Sequence, residues 1–277
     1  MASPAAAAGD EANSTIKSLR RTLEVLEMFA ETHEPATAAA IARRLGYPQS
    51  STSMLLQSLT QLGYLEQVPA DRTFRPTLRV MLLGAWLQDR LIGHGSLLRL
   101  MDGLRARTGF TVLIGMQQAT RVRYILSLLR EGTGENEPHA GMARPICRTG
   151  MGKALLLPLS DQAVARLLRR ANAEEANPAF RLGQSAFLED IRRSRERGWA
   201  IGNATVQRGV GVIGMMLPPL PGQPPLSIGL GGALPEITRR QEEIVGELRG
   251  VCQSLATALG ARGGMARPDR MRDATLP

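Results

Sequence analysis

Two short helical segments joined through a glycine are the feature that most constrains this fold. The first covers about residues 38–45, with Thr37 as its N-cap and Gly46 supplying the left-handed residue that ends it. Pro48 and a polar run then open the second segment. Its apolar spacing predicts a buried face made of Thr52, Leu55, Leu56 and Leu59. Two short helices with a tight turn between them are typical of a helix-turn-helix, which we place at about residues 37–62.

The outward face of the second helix is polar and uncharged. Short polar side chains at a helix N-terminus suit the base edges and phosphates of a DNA major groove, and the first backbone amides can hold a phosphate oxygen. We predict contacts to duplex DNA from this face and from one arginine of the preceding helix: Gln49, Ser50, Ser51, Ser53, Met54, Gln57 and Arg43. A solvated surface, or a face that a protein-interaction adaptor uses for protein contacts, stays open as the alternative.

A hairpin after the helix-turn-helix completes a winged domain over residues 13–76. Two strand-like pieces, at 64–66 and 73–75, flank a turn that contains Pro, Ala and Asp. The hairpin is predicted to present Arg72 and Arg75 to the DNA backbone or the minor groove.

An amphipathic helix precedes this motif. Apolar residues recur at three- and four-residue spacing over residues 16–29, and Ser14 is a suitable N-cap. Residues 1–12 are rich in alanine and lack the basic start and apolar centre of a secretory signal, so we predict a disordered lead-in and a cytoplasmic protein. Residues 262–277 are predicted to form a basic, disordered tail.

Composition limits the other possibilities. A chain of 277 residues favours two domains, and no apolar run is long enough to cross a bilayer, so we expect a soluble protein without a membrane partner. The formal charge of +9 comes almost wholly from scattered arginines and does not by itself indicate nucleic-acid binding. Cys147 and Cys252 are the only cysteines, and they form no metal-ligand motif with the scattered histidines.

Two glycine motifs resemble nucleotide sites without meeting their requirements. Residues 209–214 have the spacing of a dinucleotide fingerprint, but the following Met215–Pro219 cannot begin a helix. Gly152-Lys153 lacks the remaining residues of a phosphate-binding loop. We therefore expect no cofactor, no metal, no catalytic residue and no enzyme activity, and an enzyme with a fused winged helix remains the alternative.

The second half alternates between helical and strand periods. A linker helix is predicted at residues 77–93, where apolar residues recur at helical spacing. Residues 94–261 then alternate helices with strands and close with one long helix. The predicted class is α+β, with a sheet flanked by helices.

Several stretches carry a resemblance that covers nearly the whole chain. The order AAAIARRLGYPQSSTSMLLQSLTQLGYLEQ, then the hairpin, then TLRVMLLGAWL resembles the N-terminal domain of the isocitrate-lyase-regulator (IclR) family of bacterial transcription factors. GMARPICRTGMGKALL, RERGWAIGNATVQRGVGVIGMMLP and PLSIGLGG resemble its effector domain. The resemblance implies a winged helix-turn-helix, a linker helix and a GAF-like α/β effector-binding domain. It also implies a homodimer or dimer of dimers that binds a roughly palindromic operator, as repressor or activator.

The resemblance further implies a ligand cup in the second domain. Carried over residue by residue, the cup consists of Thr149, Gly150, Met151, Gly202, Asn203, Val212, Ser227 and Gly229. Several acid-sensing members carry a small residue, an acidic residue and a second serine where this chain has Met151, Gly202-Asn203 and Gly229, so the pocket should be less anionic and more apolar. Arg148 beside it could pair bidentately with a carboxylate. We expect a small organic acid as effector, with aromatic acids among the candidates.

Overall fold

The computed structural model describes residues 5–84, 96–132, 137–203, 206–220 and 222–263. They fall into an N-terminal and a C-terminal compact unit. Within these residues, no helix has the length and apolar character needed to span a membrane.

The N-terminal unit is a winged helix-turn-helix. Its three strands form an antiparallel sheet in the order β1-β3-β2, in which β2 and β3 are the predicted hairpin. The elements are α1 Ala5–Thr32, β1 Ala36–Thr37, α2 Ala38–Leu45, α3 Gln49–Gln61, β2 Leu65–Val68, β3 Thr73–Pro76 and α4 Leu78–Leu82.

The predicted start and end of α2 are confirmed. The Thr37 hydroxyl accepts a hydrogen bond from the Ala40 backbone N–H at 3.3 Å, and Gly46 ends the helix at φ +69°. Pro48 is the N-cap of α3 and lies just outside the helix. One small core joins α1, α2, α3 and the wing: Val25, Met28, Phe29, Ile41, Leu56, Leu59, Leu65 and Phe74.

Two predicted boundaries of this unit differ from the structure. Helix α1 begins at Ala5, so residues 5–12 are helical instead of a disordered lead-in, and Ser14 lies inside the helix instead of capping it. Alanine has the highest intrinsic helix propensity, which accounts for the earlier start. Of the predicted linker helix, the described part is α4, whose N-cap is Thr77, and residues 85–95 lie outside the described residues.

The C-terminal unit is built on a six-stranded antiparallel sheet in the order β6-β5-β4-β9-β8-β7. Two short 3-10 turns lie at Ile146–Arg148 and Pro178–Phe180. The remaining elements are α5 Ser96–Thr108, β4 Thr111–Gln118, β5 Arg121–Leu128, β6 Ala143–Pro145, α6 Gly150–Leu156, α7 Asp161–Glu174, α8 Gln184–Arg197, β7 Ala200–Asn203, β8 Val210–Met216, β9 Leu226–Ala233, α9 Leu234–Arg239 and α10 Gln241–Gly263.

The main core lies on the sheet face that α5 and α10 cover. Alternate residues of the three central strands point to this face and pack against both helices. They are Val112, Ile114, Ile213, Met215, Ile228 and Leu230, with Met101, Leu104, Ile244 and Leu248 from the helices.

The opposite face of the sheet meets α6 through glycines. A Cβ at Gly150 would lie 2.1 Å from the Val212 carbonyl oxygen, and one at Gly202 would lie 2.6 Å from the Gly150 amide nitrogen. A Cβ at Gly214 would lie 2.6 Å from the Gly150 carbonyl oxygen. Any side chain at these positions would collide with backbone, so helix and sheet can approach this closely only because these positions are glycine.

The single long closing helix that we predicted is two helices. Helix α9 ends at Arg239 and α10 begins at Gln241. Arg240 lies between them, where its guanidinium pairs with Glu236 and Glu243 at 3.4 and 2.6 Å. The apolar spacing continues through this break, which is why periodicity alone did not detect it.

Replacing Gly150 by alanine tests the close approach of α6. We expect Gly150→Ala to lower the free energy of unfolding of the C-terminal unit by about 2–3 kcal/mol, because the new methyl group collides with fixed backbone. Gly246→Ala in α10 is the matched control, because its Cβ meets nothing within 4 Å and should add about 0.8 kcal/mol of helix stability. Urea unfolding followed by circular dichroism measures both. Equal stability of Gly150→Ala and wild type would contradict this packing.

Candidate functional site

The outward face of α3 forms one narrow stripe. Ser50, Met54, Gln57 and Gln61 are all exposed and recur at i, i+4, i+7 and i+11, opposite the buried residues of the helix. Met54 is the most exposed large apolar side chain of the helix, at 69%. We call these four residues the α3 stripe. Gln61 was not predicted, although its helical spacing from Gln57 was a usable signal.

The remaining predicted residues of this helix flank the stripe. Gln49 is exposed at the helix start, and Ser51 and Ser53 are half-buried. The Ser51 hydroxyl donates to the Pro48 carbonyl oxygen at 3.0 Å, which ties it to its own backbone. Arg43 is exposed on α2.

The tip of the wing places Arg72 in an unusual backbone conformation. Arg72 has φ +55°, a left-handed value that favours glycine, and its side chain is exposed. Asp71 supports the turn by accepting hydrogen bonds from the Thr73 hydroxyl at 2.7 Å and from the Thr73 amide at 3.0 Å. These bonds lower the pKa of the Asp71 carboxyl, so it accepts them as a carboxylate. The other predicted wing arginine, Arg75, is paired with Glu66 at 2.5 Å across the hairpin.

Two basic residues beside α3 were missed at the sequence level. Lys17 and Arg21, four residues apart on α1, line a groove of about 490 Å³ together with Met54. The Arg21 guanidinium lies 4.6 Å from the centre of the Tyr47 ring. The i, i+4 spacing of basic residues on one helix was the available signal.

The C-terminal unit contains a cavity of about 310 Å³ on the glycine-rich face of its sheet, next to α6. Of the predicted cup residues, Arg148, Thr149, Gly202 and Val212 line it. Further wall residues come from β4, β5, β6, β8, β9 and the loops, among them Thr111, Leu113, Tyr124, Arg130, Glu137, Pro138, Arg144, Arg208, Val210 and Gly231.

Four predicted cup residues lie outside this lining. Met151 is fully buried, and its thioether packs over Gly229, where an added Cβ would lie 2.6 Å from Met151 Cγ. Ser227 is also fully buried and its hydroxyl donates to the Gly115 carbonyl oxygen at 3.5 Å. Gly150 is held against backbone by the glycine contact. Gly150 and Met151 therefore hold α6 on the sheet, because Gly150 allows close approach and the long Met151 side chain fills the space above Gly229.

Asn203 ends β7, where its backbone pairs with Gly211. Its side chain lies outside the part of the chain that the structure describes.

Arg148, the predicted carboxylate partner, lines the cavity and also has partners within the protein. Its guanidinium donates to Glu175 at 3.2 Å and lies 4.2 Å from the centre of the Phe180 ring. The Arg148 guanidinium therefore lies at the cavity wall and also contacts the segment after α7.

Among the described residues that line the cavity, the charged side chains are mainly basic. They are Arg130, Arg144, Arg148 and Arg208, together with one acid, Glu137. Burial raises the pKa of the Tyr124 phenol to about 12, so this hydroxyl is neutral and can donate a hydrogen bond at neutral pH. The sequence did not predict that Arg130, Arg144 and Arg208 line one cavity, because they lie on β6 and on separate loops that are distant along the chain.

The described residues contain no group of three potential metal ligands. Burial raises the pKa of the Cys147 thiol to about 12, which keeps it protonated and a poor nucleophile. Lys153 of α6 donates to Asp190 at 2.7 Å and to the Ile201 carbonyl oxygen at 3.1 Å, so it ties α6 to α8 and β7.

Comparison with known proteins agrees with both units. The family description "IclR helix-turn-helix domain" matches residues 18–69, and "Bacterial transcriptional regulator IclR C-terminal" matches residues 95–257. The transcriptional repressor IclR of Escherichia coli (strain K12) is 26% identical over 233 residues, covering 82% of this chain and 84% of that protein.

Solved structures share the fold. The crystal structure of an IclR family transcriptional regulator from Brucella abortus has a TM-score of 0.69 at 21% identity and covers 87% of this chain and 91% of its own. An IclR homolog from Microbacterium hydrocarbonoxydans, complexed with 4-hydroxybenzoate, has a TM-score of 0.69 at 18% identity and covers 88% and 99%. The match to the C-terminal family description alone spans more than half of the sequence, and the chain belongs to the IclR family of bacterial transcriptional regulators.

Proposed function

We propose that this regulator binds duplex DNA through α3 and its wing, and that a small organic acid bound in the C-terminal cavity changes that binding. The observation that carries the proposal is the cavity wall, where Arg130, Arg144 and Arg208 surround a partly apolar space with a neutral phenol, Tyr124. Guanidinium groups recognise carboxylates through charge-assisted hydrogen bonds.

Cavity size and lining favour a compact acid that carries an apolar body. A volume of about 310 Å³ lies at the lower end of ordinary ligand sites. Leu113, Val210 and Val212 supply apolar wall beside the arginines. Since the Microbacterium homolog was solved with 4-hydroxybenzoate, that acid is a suitable first probe for this chain.

The remaining features of the proposal concern assembly and coupling. A dimer, or a pair of dimers, would place two copies of α3 in successive major grooves of a roughly palindromic operator. The ligand would act through the linker segment by shifting the spacing of these helices, and a coupling of about 1–3 kcal/mol is enough to change occupancy severalfold. The protein would work in the cytoplasm, where its DNA is, and by binding instead of catalysis.

Footprinting on the DNA upstream of the protein's own coding region tests the proposal. The full chain should protect a site there, and 4-hydroxybenzoate should change the protection whereas the uncharged 4-hydroxybenzyl alcohol should not. Protection should weaken steeply with salt, by a log-log slope of about −0.9 for each neutralised phosphate. A footprint that is insensitive to every acid in a broad panel would refute the ligand proposal and leave DNA binding intact.

Removing one cavity charge should weaken acid binding. We expect Arg144→Gln to reduce the affinity for 4-hydroxybenzoate by about tenfold or more, because a hydrogen bond to a charged group contributes about 1.5–3 kcal/mol. Arg166→Gln is the matched control, since Arg166 is exposed on α7 and absent from the cavity lining. Isothermal titration calorimetry on the full chain measures both. Wild-type affinity in Arg144→Gln would contradict the assignment of this arginine.

Replacing Arg72 at the wing tip should raise the stability of the N-terminal unit and lower its affinity for DNA. Arg72→Gly relieves the left-handed backbone and should raise the stability of the N-terminal unit by about 1 kcal/mol. It should also weaken duplex binding and reduce the salt slope by about 1, because one cationic contact to the DNA is lost. Arg72→Lys should keep the salt slope.

Arg193→Gln, an exposed change on α8, is the matched control for binding. Electrophoretic shifts across a salt series and urea unfolding give the two readouts. An Arg72→Gly variant with unchanged affinity would remove Arg72 from the DNA interface.

A further inference from the structure

The α3 stripe carries information about which DNA the protein reads. From Gln49 to Gln61, α3 contains no Lys, Arg, Asp or Glu. Guanine is most often read in the major groove by the bidentate donors of Arg or Lys, and the cytosine amino group by a carboxylate. Helix α3 offers neither kind of group. The groups that it does expose are amides, hydroxyls and a thioether.

The exposed groups match the major-groove edge of A·T pairs. A glutamine amide donates to N7 and accepts from N6 of adenine, and Gln57 presents such an amide in the centre of the stripe. The 5-methyl group of thymine is read by apolar contact, and Met54 holds its thioether 69% exposed one turn earlier. An unbranched, adaptable side chain of this kind covers an isolated methyl group well.

Spacing puts these two side chains on neighbouring base pairs. Three residues of helix rise by about 4.5 Å, and successive base pairs are separated by about 3.4 Å. Met54 and Gln57 therefore reach adjacent steps of a groove that runs beside the helix. Ser50, one turn before Met54, adds a hydroxyl that accepts or donates to any base and does not discriminate.

The wing provides a second, independent reason to expect A·T pairs in the operator. Arg72 projects from the hairpin tip, and an arginine that enters a minor groove is attracted most strongly where A·T tracts narrow the groove. Arg43 lies in the last turn of α2, the helix that crosses the DNA backbone in this motif, and suits a phosphate.

We propose that the operator half-site under α3 consists of A·T pairs, with an adenine read by Gln57 next to a thymine whose methyl group contacts Met54. The inference rests on the proposed role of α3 as the recognition helix. It also places the A·T-rich minor groove that Arg72 enters at the flank of each half-site.

Selection of bound sequences from a random duplex pool, with the full chain, tests the composition. Two adjacent A·T pairs should be enriched in each half-site. The preference of the protein for A·T at these two positions should weaken in Gln57→Ala and Met54→Ala. If the base pairs whose selection weakens in these variants prove to be G·C, the inference is overturned while DNA binding stands. Failure to enrich any sequence overturns the role of α3 as a recognition helix, and with it this inference.

Base analogues in the selected site test the two contacts separately. Replacing the adenine by 7-deaza-adenine removes N7, and replacing the thymine by deoxyuridine removes the methyl group. Wild-type affinity should fall about tenfold with the first, because one hydrogen bond of the bidentate pair is lost, and severalfold with the second, because the apolar contact to the methyl group is lost. Gln57→Ala should be insensitive to 7-deaza-adenine, and Met54→Ala to deoxyuridine.

Gln253→Ala, an exposed glutamine of α10, is the matched control and should behave as wild type on every duplex. Circular dichroism and thermal unfolding verify that each variant is folded. Equal wild-type affinity for the natural and both modified duplexes overturns the inference.

Discussion

The close contact between α6 and the six-stranded sheet is the constraint on which the C-terminal unit depends. Glycines at 150, 202 and 214 let helix backbone and strand backbone touch, which no larger residue at these positions allows. The contact secures α6 over one end of the sheet face and leaves the other end open as the cavity. An ion pair between the buried Lys153 and the half-buried Asp190 holds the same helix from the side facing α8. The contact between α6 and the sheet therefore determines both the position of α6 and the position of the cavity.

Charge is distributed in opposite ways in the two units. The α3 stripe is uncharged, and the basic residues of this unit lie on other elements: Lys17 on α1, Arg43 on α2 and Arg72 at the wing tip. In the cavity, arginines line the wall while the sheet supplies small and apolar residues. The formal charge of the whole chain therefore does not show that the charged residues are arranged differently in the two units. For this reason the total charge was a poor guide to function.

Local signals in the sequence predicted the fold well, and contacts between distant segments account for what was missed. The caps of α2 and the strands of the wing follow from residues within a few positions of each other, as with Thr37 and Gly46. The cavity wall does not, because residues such as Arg130 and Arg144 meet only after the sheet has formed. Of the carried-over cup residues, Thr149 and Val212 line the cavity, whereas Met151 is fully buried over Gly229 and is absent from the lining. The break at Arg240 was not predicted because the apolar spacing continues from α9 into α10.

Met151 also has a consequence for how such a regulator can diverge. On β9, Gly231 lines the cavity and Gly229 lies under the Met151 thioether, and both point to the same sheet face. The Met151 side chain therefore fills the sheet face two residues along β9 from the cavity wall. A smaller residue at position 151 would leave the space above Gly229 empty without disturbing the helix backbone that the glycines hold. Substitution here is thus a route by which the room beside the cavity can change between related proteins while α6 keeps its place.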